Sequence, residues 1–245
     1  MVSCFLIHLG AFVSTEGMFE EGLPSDPFTF LMDASMLGVG VGFDTRAVDS
    51  VHNRPIPGPN NSAERELFVI PDSREGWVSS LSLLLDSYFL HLPPISFDYS
   101  QIRKAGEIIK GFGGVCSGPA PLKEMHERIE SIMVGQIGKC VSISTIVDIM
   151  NIIGKCVVSG NVRRTAEIAF GSPDSQEYID LKNYDKNPHR RDFGWTSNNS
   201  VFSRIGQRYG KELCERVLAN GEPGFFWLEN AQKYGRMCDP PVNNK

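Results

Sequence analysis

The stretch SGNVRR at 159–164 sets Ser159, Gly160, Asn161 and the adjacent Arg163 and Arg164 between a helix-like segment and a strand-like one. A second glycine-rich stretch, GGVCSGP at 113–119, holds Gly113, Gly114, Cys116 and Ser117 and stands on the other side of a helical pair. Glycine lets backbone N–H groups converge on an anion, and planar guanidinium groups grip phosphate oxygens in pairs. That combination suits a nucleotide. Adjacent arginines are also an ordinary solvated face, and spacing alone leans towards that reading. Cys116 has the residue type of a nucleophile, but no histidine or other base stands in a recognisable relation to it, which favours a small, half-buried thiol. Asn198 and Asn199, in TSNNSVF, either line a pocket or mark an exposed edge.

The remaining chemistry-bearing residues exclude more than they suggest. The six cysteines lie far apart without a CxxC pair, and the five histidines do not join them at ligand spacing, so no zinc site and no metal are expected. Scattered cysteines in a chain of 245 residues read as cytosolic thiols, which points to the cytoplasm. A formal net charge of -5 argues against a clamp for nucleic acid, which needs a basic stripe along one face. The apolar start MVSCFLIHLGAFVS lacks the basic segment of a secretory signal. The apolar-rich run at 78–92 carries Asp86 and a helical period, so no membrane span is expected.

These loops need elements to hold them. DPFTFLMDASML at 26–37 reads as a helix with Asp26 at the N-cap and Pro27 in the first turn. GVGVGFD at 38–44 alternates glycine with Val39, Val41 and Phe43, the period of a strand with one face bare of side chains. Its GxGxG does not open a helix, so a dinucleotide fingerprint is excluded. ELFVIP reads as a strand; Asp72 and Glu75 then resemble a capping box before an apolar face of Trp77, Leu81, Leu84, Leu85 and Tyr88. The segment after the two prolines at 93 and 94 reads as irregular. Beyond the first glycine loop, one helix presents Leu122, Met125, Ile129, Ile132 and Met133, and the next presents Ile143, Ile146, Val147, Met150 and Ile153. EIAF, TSNNSVF and GFFWLE read as strands, with a helix, GKELCERVLANG, ended by Gly221. Alternating strands and helices imply an α/β architecture.

Six blocks in order, DASMLGVGVGFDT, FVIPDSREGW, IKGFGGVCSGPAPL, DIMNIIGKCVVSGNVRRTAEIAFG, GWTSNNSVF and DPPVNNK, resemble the adenosylcobalamin-dependent, class II ribonucleoside-triphosphate reductases. The resemblance runs from Ala11 to Lys245 and implies part of a ten-stranded α/β barrel over 11–245, with 1–10 an atypical N-terminus. It implies reduction of a ribonucleoside triphosphate to its 2'-deoxy form by a thiyl-radical mechanism, with adenosylcobalamin as cofactor. Thioredoxin or another external dithiol would be the reductant and a deoxynucleotide the allosteric effector, with the enzyme a monomer. By the same resemblance, Gly113, Gly114, Cys116 and Ser117 belong to a first specificity loop touching the effector. Ser159, Gly160, Asn161, Arg163 and Arg164 belong to a second, which reports the effector to the substrate base. Gly38 lies against the substrate, and the segment around DSREGW belongs to the insertion that completes the effector site within one monomer.

The sequence also departs from the family pattern. Gly10 stands where the family has a redox cysteine, and neither the Asn-Pro-Cys-x-Glu motif nor a cobalamin-binding segment is present. The expectation is a portion of a reductase with no catalytic residue of its own, inactive in isolation. A non-catalytic nucleotide-binding module that retains the specificity loops is the alternative.

Overall fold

The computed structural model describes residues 11–13, 22–49, 53–109, 114–159 and 165–234. The first half of the chain forms β1 (Ala11–Val13), α1 (Asp26–Met36), β2 (Val41–Asp44), β3 (Glu66–Val69), α2 (Arg74–Phe89), β4 (Ile95–Asp98) and α3 (Ala120–Gln136). The second half forms α4 (Ile143–Val158), β5 (Glu167–Gly171), α5 (Gln176–Ile179), β6 (Ser197–Ser203), α6 (Lys211–Asn220), β7 (Gly224–Trp227) and α7 (Leu228–Tyr234). Five strands make one all-parallel sheet in the order β1-β2-β5-β6-β7, while β3 and β4 make a separate parallel pair. Parallel neighbours need crossover connections, which is why helices lie between them in sequence.

Register places Val41, Glu167 and Ser197 side by side, and Phe43, Ala169 and Asn199 two residues further along. Side chains alternate across a strand. On one face Val41, Phe43, Ala169 and Val201 are sealed into the core with α1 and α4. On the other face Phe170 stacks on Phe202 with ring centroids 5.3 Å apart and meets Phe226 edge-on at 4.9 Å.

Helix α4 is buried nearly all round, from Ile143 and Ile146 to Asp148 and Asn151, the signature of a helix inside a domain. It starts where the Ser142 hydroxyl accepts from the Thr145 amide at 3.1 Å, satisfying one of the free N–H groups at the helix end. It packs against α1 and α3. Asp148 reaches out of it to Arg190 through two hydrogen bonds, 2.7 and 3.0 Å, both groups buried.

Four local expectations are corrected. Ser25, not Asp26, is the N-cap of α1; the Asp26 carboxylate instead accepts from the Leu23 amide at 2.9 Å. Ser73, not Asp72, caps α2, accepting from the Gly76 amide at 3.0 Å. The strand expected over 38–44 begins only at Val41, because Gly38 ends α1. β4 occupies a segment read as irregular; all four of its residues are half-buried, so no buried-exposed alternation marks it.

Candidate functional site

The helical pair α3–α4 brings the 114–119 part of the first glycine-rich stretch and Ser159, which opens the second, to the same end. Residues 137–142 join the two helices, and a short connection returns the chain antiparallel. The start of α3 and the end of α4 therefore lie at the same end of the pair. There, Cys116 and Ser117 face Cys156 and Val157 across a solvent-open cleft of about 110 Å³. Asp72, Ser73, Arg74 and Trp77, at the start of α2, form a further wall, with Arg103 beside them.

The described residues on either side of 110–113 pair with each other. Ile108 bridges Val115, the Cys116 amide donates to the Glu107 carbonyl at 2.8 Å, and the Gly106 amide donates to the Cys116 carbonyl at 2.9 Å. Gly114 adopts a φ of 84°, where a side chain is strained, and its carbonyl accepts from the Ile109 amide at 3.0 Å. The Cys116 sulfur accepts from the Gly118 amide at 3.2 Å.

Two guanidinium groups line the cleft, each held by carboxylates. Arg103 donates through Nε to Asp72 at 2.6 Å. Arg74 pairs with Asp33 and, at 2.7 Å, with Glu75. The start of α2 adds the positive end of a helix dipole. Trp77 completes this wall, in which the two guanidinium charges are matched by Asp72, Asp33 and Glu75.

Of the expected site residues, Cys116 and Ser117 line this cleft, and Gly114 shapes the loop that carries them. Ser159 closes α4, its hydroxyl donating to the Cys156 carbonyl at 2.7 Å. Gly38 stands at a φ of 82°, with its amide on the Ser35 carbonyl at 2.9 Å and the Val39 amide on Ala34 at 3.1 Å. That is a Schellman termination of α1, a local reason for glycine independent of any ligand. Gly10, Gly113, Gly160, Asn161, Arg163 and Arg164 lie outside the described residues. Asn198 is exposed and Asn199 buried, where its side-chain oxygen accepts from the Ser197 hydroxyl at 3.1 Å.

Arg74, Arg103 and Trp77 were missed as cleft residues. Trp77 fits the apolar period of α2, and nothing local to Arg103 links it to residue 72. The one available signal was that Arg74 and Trp77 fall inside the DSREGW block.

No three His, Cys, Asp or Glu side chains converge into a metal site among the described residues. None of the helices described is long and apolar enough to cross a membrane.

The family model for the insertion domain of B12-dependent ribonucleotide reductase matches residues 45–133, the span that holds β3, α2, β4 and most of α3. A probable adenosylcobalamin-dependent ribonucleoside-triphosphate reductase of Dictyostelium discoideum is 56% identical, over 96% of this chain and 32% of that protein. This chain is homologous to about a third of such a reductase. The corresponding enzyme of Euglena gracilis is 52% identical over 94% of this chain and 31% of its own length. A crystal structure of a B12-dependent, class II ribonucleotide reductase superposes with a TM-score of 0.75 at 28% identity, covering 92% of this chain and 37% of the solved one. The parallel α/β architecture is thus a portion of the reductase fold. The chain spans about a third of the length of the curated relatives it matches.

Proposed function

We propose that this chain is the part of an adenosylcobalamin-dependent ribonucleoside-triphosphate reductase that carries its effector-specificity apparatus, within one partial barrel domain over 11–245. The observation that carries the reading is the cleft, where Cys116 and Ser117 of the first loop, Arg74 and Trp77 of the matched insertion and Cys156 at the end of α4 meet. A deoxynucleoside triphosphate is the ligand. Its phosphates enter the cleft, where Arg74 and Arg103 exchange their carboxylate partners for phosphate oxygens, and its base and sugar lie towards solvent.

The effector acts by binding one arrangement of the 159–164 loop better than another, which alters the affinity for each substrate base. Gly38 lies on the substrate side, as the first turn after α1. The whole enzyme is a monomer that reduces the ribose 2'-hydroxyl by thiyl-radical chemistry, with electrons from thioredoxin or another dithiol. Adenosylcobalamin supplies the radical. The residues described do not fit that cofactor: the cleft is small for a corrin, and no donor cluster stands near it.

The deciding experiment replaces Arg163 and Arg164 together by alanine in the full-length reductase. Effector-dependent choice between ribonucleoside triphosphates should fall more than turnover without effector. Equal losses in both would assign the arginines to substrate phosphate or to structure. Reading the transcript past the codon for Lys245 separates the enzyme from a non-catalytic nucleotide-binding module: an in-frame Asn-Pro-Cys-x-Glu motif supports the enzyme.

A further inference from the structure

Four free cysteines stand among the described residues, Cys116, Cys140, Cys156 and Cys214, and two of them, Cys116 and Cys156, line the same cleft. They belong to different segments. Cys116 lies ahead of α3, where its sulfur accepts from the Gly118 amide at 3.2 Å and its S–H is directed at the Arg103 carbonyl, 3.9 Å away. Cys156 lies in the last turn of α4, where the neighbouring Lys155 reaches Glu124 near the start of α3 at 2.9 Å, so the end of one helix sits beside the start of the other.

The two thiols differ in access. Cys116 is half-buried in a cleft open to solvent, whereas Cys156 is 5% exposed and its thiol has no hydrogen-bond partner among the described residues. Burial pushes the Cys156 thiol up to about 12. A disulfide is attacked by a thiolate, and access decides which thiol a reagent meets first. Cys116 is therefore the residue that meets an external disulfide, and Cys156 is the second thiol on the cleft into which the modified sulfur opens.

We propose that Cys116 and Cys156 form a dithiol pair that exchanges with small external disulfides and closes to a disulfide across the cleft. In the first step the Cys116 thiolate attacks one sulfur of a disulfide RS–SR; the S–S bond breaks, and RS⁻ leaves with the electron pair and takes up the proton that Cys116 has lost. In the second step Cys156 loses its proton and attacks the Cys116 sulfur, expelling the other RS⁻, which takes up that proton. Two cysteine thiols are oxidised and one disulfide is reduced to two RSH, the mixed disulfide on Cys116 being the intermediate. If the cleft takes a deoxynucleoside triphosphate, the link shuts it; that consequence rests on the function proposed above, and the pair itself does not.

The test incubates the native full-length reductase with 2-hydroxyethyl disulfide, blocks the remaining thiols and maps the digested peptides by mass spectrometry. The peptide holding Cys116 should be recovered joined to the one holding Cys156, and dithiothreitol should separate them. Cys156→Ala should stop the sequence at a mercaptoethanol adduct on Cys116, and Cys116→Ser should leave Cys156 unmodified. Cys140 and Cys214, both exposed and outside the cleft, should carry adducts that never resolve into a link.

An unmodified Cys116, an adduct on Cys116 that never passes to Cys156, or a link from Cys116 to any other cysteine overturns the proposal. This mapping of the parent enzyme decides the point even where a variant does not fold. Binding of a labelled deoxynucleoside triphosphate is then measured by equilibrium dialysis before and after oxidation. A linked enzyme that loses the nucleotide and recovers it on reduction supports both the pair and the reading of the cleft. A linked enzyme that binds as before leaves the pair standing and removes the nucleotide from the cleft. If no link forms in an enzyme that binds the nucleotide, the pair fails and the reading of the cleft stands.

Discussion

Gly154 of α4 lies so close to Glu167 of β5 that a Cβ on the glycine would stand 2.0 Å from Oε1 of the carboxyl. Glycine inside a helix costs about 1 kcal/mol against alanine, and this contact is what requires it. Gly154→Ala should destabilise the chain by about 1–3 kcal/mol through overpacking. Glu167→Ala removes the obstructing atoms, so in urea unfolding the double variant should be more stable than the sum of the single losses predicts. Simple additivity would show that the two residues do not touch.

Glu167 itself is buried, with neither carboxyl oxygen hydrogen-bonded among the described residues. Burial pushes its pKa well above the ordinary 4.5. Above that value the unfolded chain has released a proton that the native chain retains, so stability falls as pH rises from the unfolded pKa towards the folded one. Glu167→Gln should abolish this loss. The variant should be more stable than the parent at neutral pH, with the gain fading as pH falls below 4.5. Unfolding curves across pH measure it, and a pH-independent difference would show that Glu167 does not titrate abnormally.

His126 behaves in the opposite sense. Its imidazole bridges Ser80 Oγ at 3.0 Å and Tyr99 Oη at 2.8 Å and stacks on Phe97 at 4.3 Å, and burial lowers its pKa from 6.5 to about 3. Between those values the unfolded chain binds a proton that the native chain refuses. The contribution is whole above 6.5 and is lost as pH falls towards 3, with a slope approaching about 1.4 kcal/mol per pH unit. Histidine ring resonances should show native His126 still neutral under mildly acidic conditions. A ring that titrates near 6.5 would mean that the site is open to water.

The Asp148–Arg190 pair tests how α4 is anchored. Removing one partner, as in Asp148→Ala, leaves a buried uncompensated charge and should cost about 3–5 kcal/mol. Replacing both with apolar residues of similar volume, Asp148→Leu with Arg190→Met, should cost much less. Chemical denaturation of the three proteins decides the point, and equal losses would indicate that the pair contributes specific packing rather than charge compensation.

In the cleft, Arg74→Ala and Arg103→Ala should each weaken deoxynucleoside triphosphate binding about tenfold or more, the scale of a hydrogen bond to a charged group. Titration calorimetry measures this directly. Unchanged affinity in both variants would remove the phosphates from the cleft.

The sequence by itself determined which stretches are helices and strands wherever the apolar period was strong. Leu122, Met125, Ile129 and Met133 of α3, and Ile143, Ile146, Val147, Met150 and Ile153 of α4, are buried as their spacing requires. It also carried the order of blocks shared with the reductases and the glycine-rich character of both loops. It was weaker at element ends. Ser25 and Asp26 both have cap chemistry, and the choice depended on partners elsewhere, since the Ser25 hydroxyl reaches Asp86 of α2 at 2.9 Å. Tertiary structure alone decided that Arg103 meets Asp72 beside Cys116, that Gly154 rests on Glu167, and that Thr165 reaches Val39. Periodicity reports which face of an element is apolar, because burial repeats at the helical or strand spacing. It carries no record of which element lies opposite, since a hydrogen bond between residues 39 and 165 depends on how the sheet is ordered rather than on any local pattern.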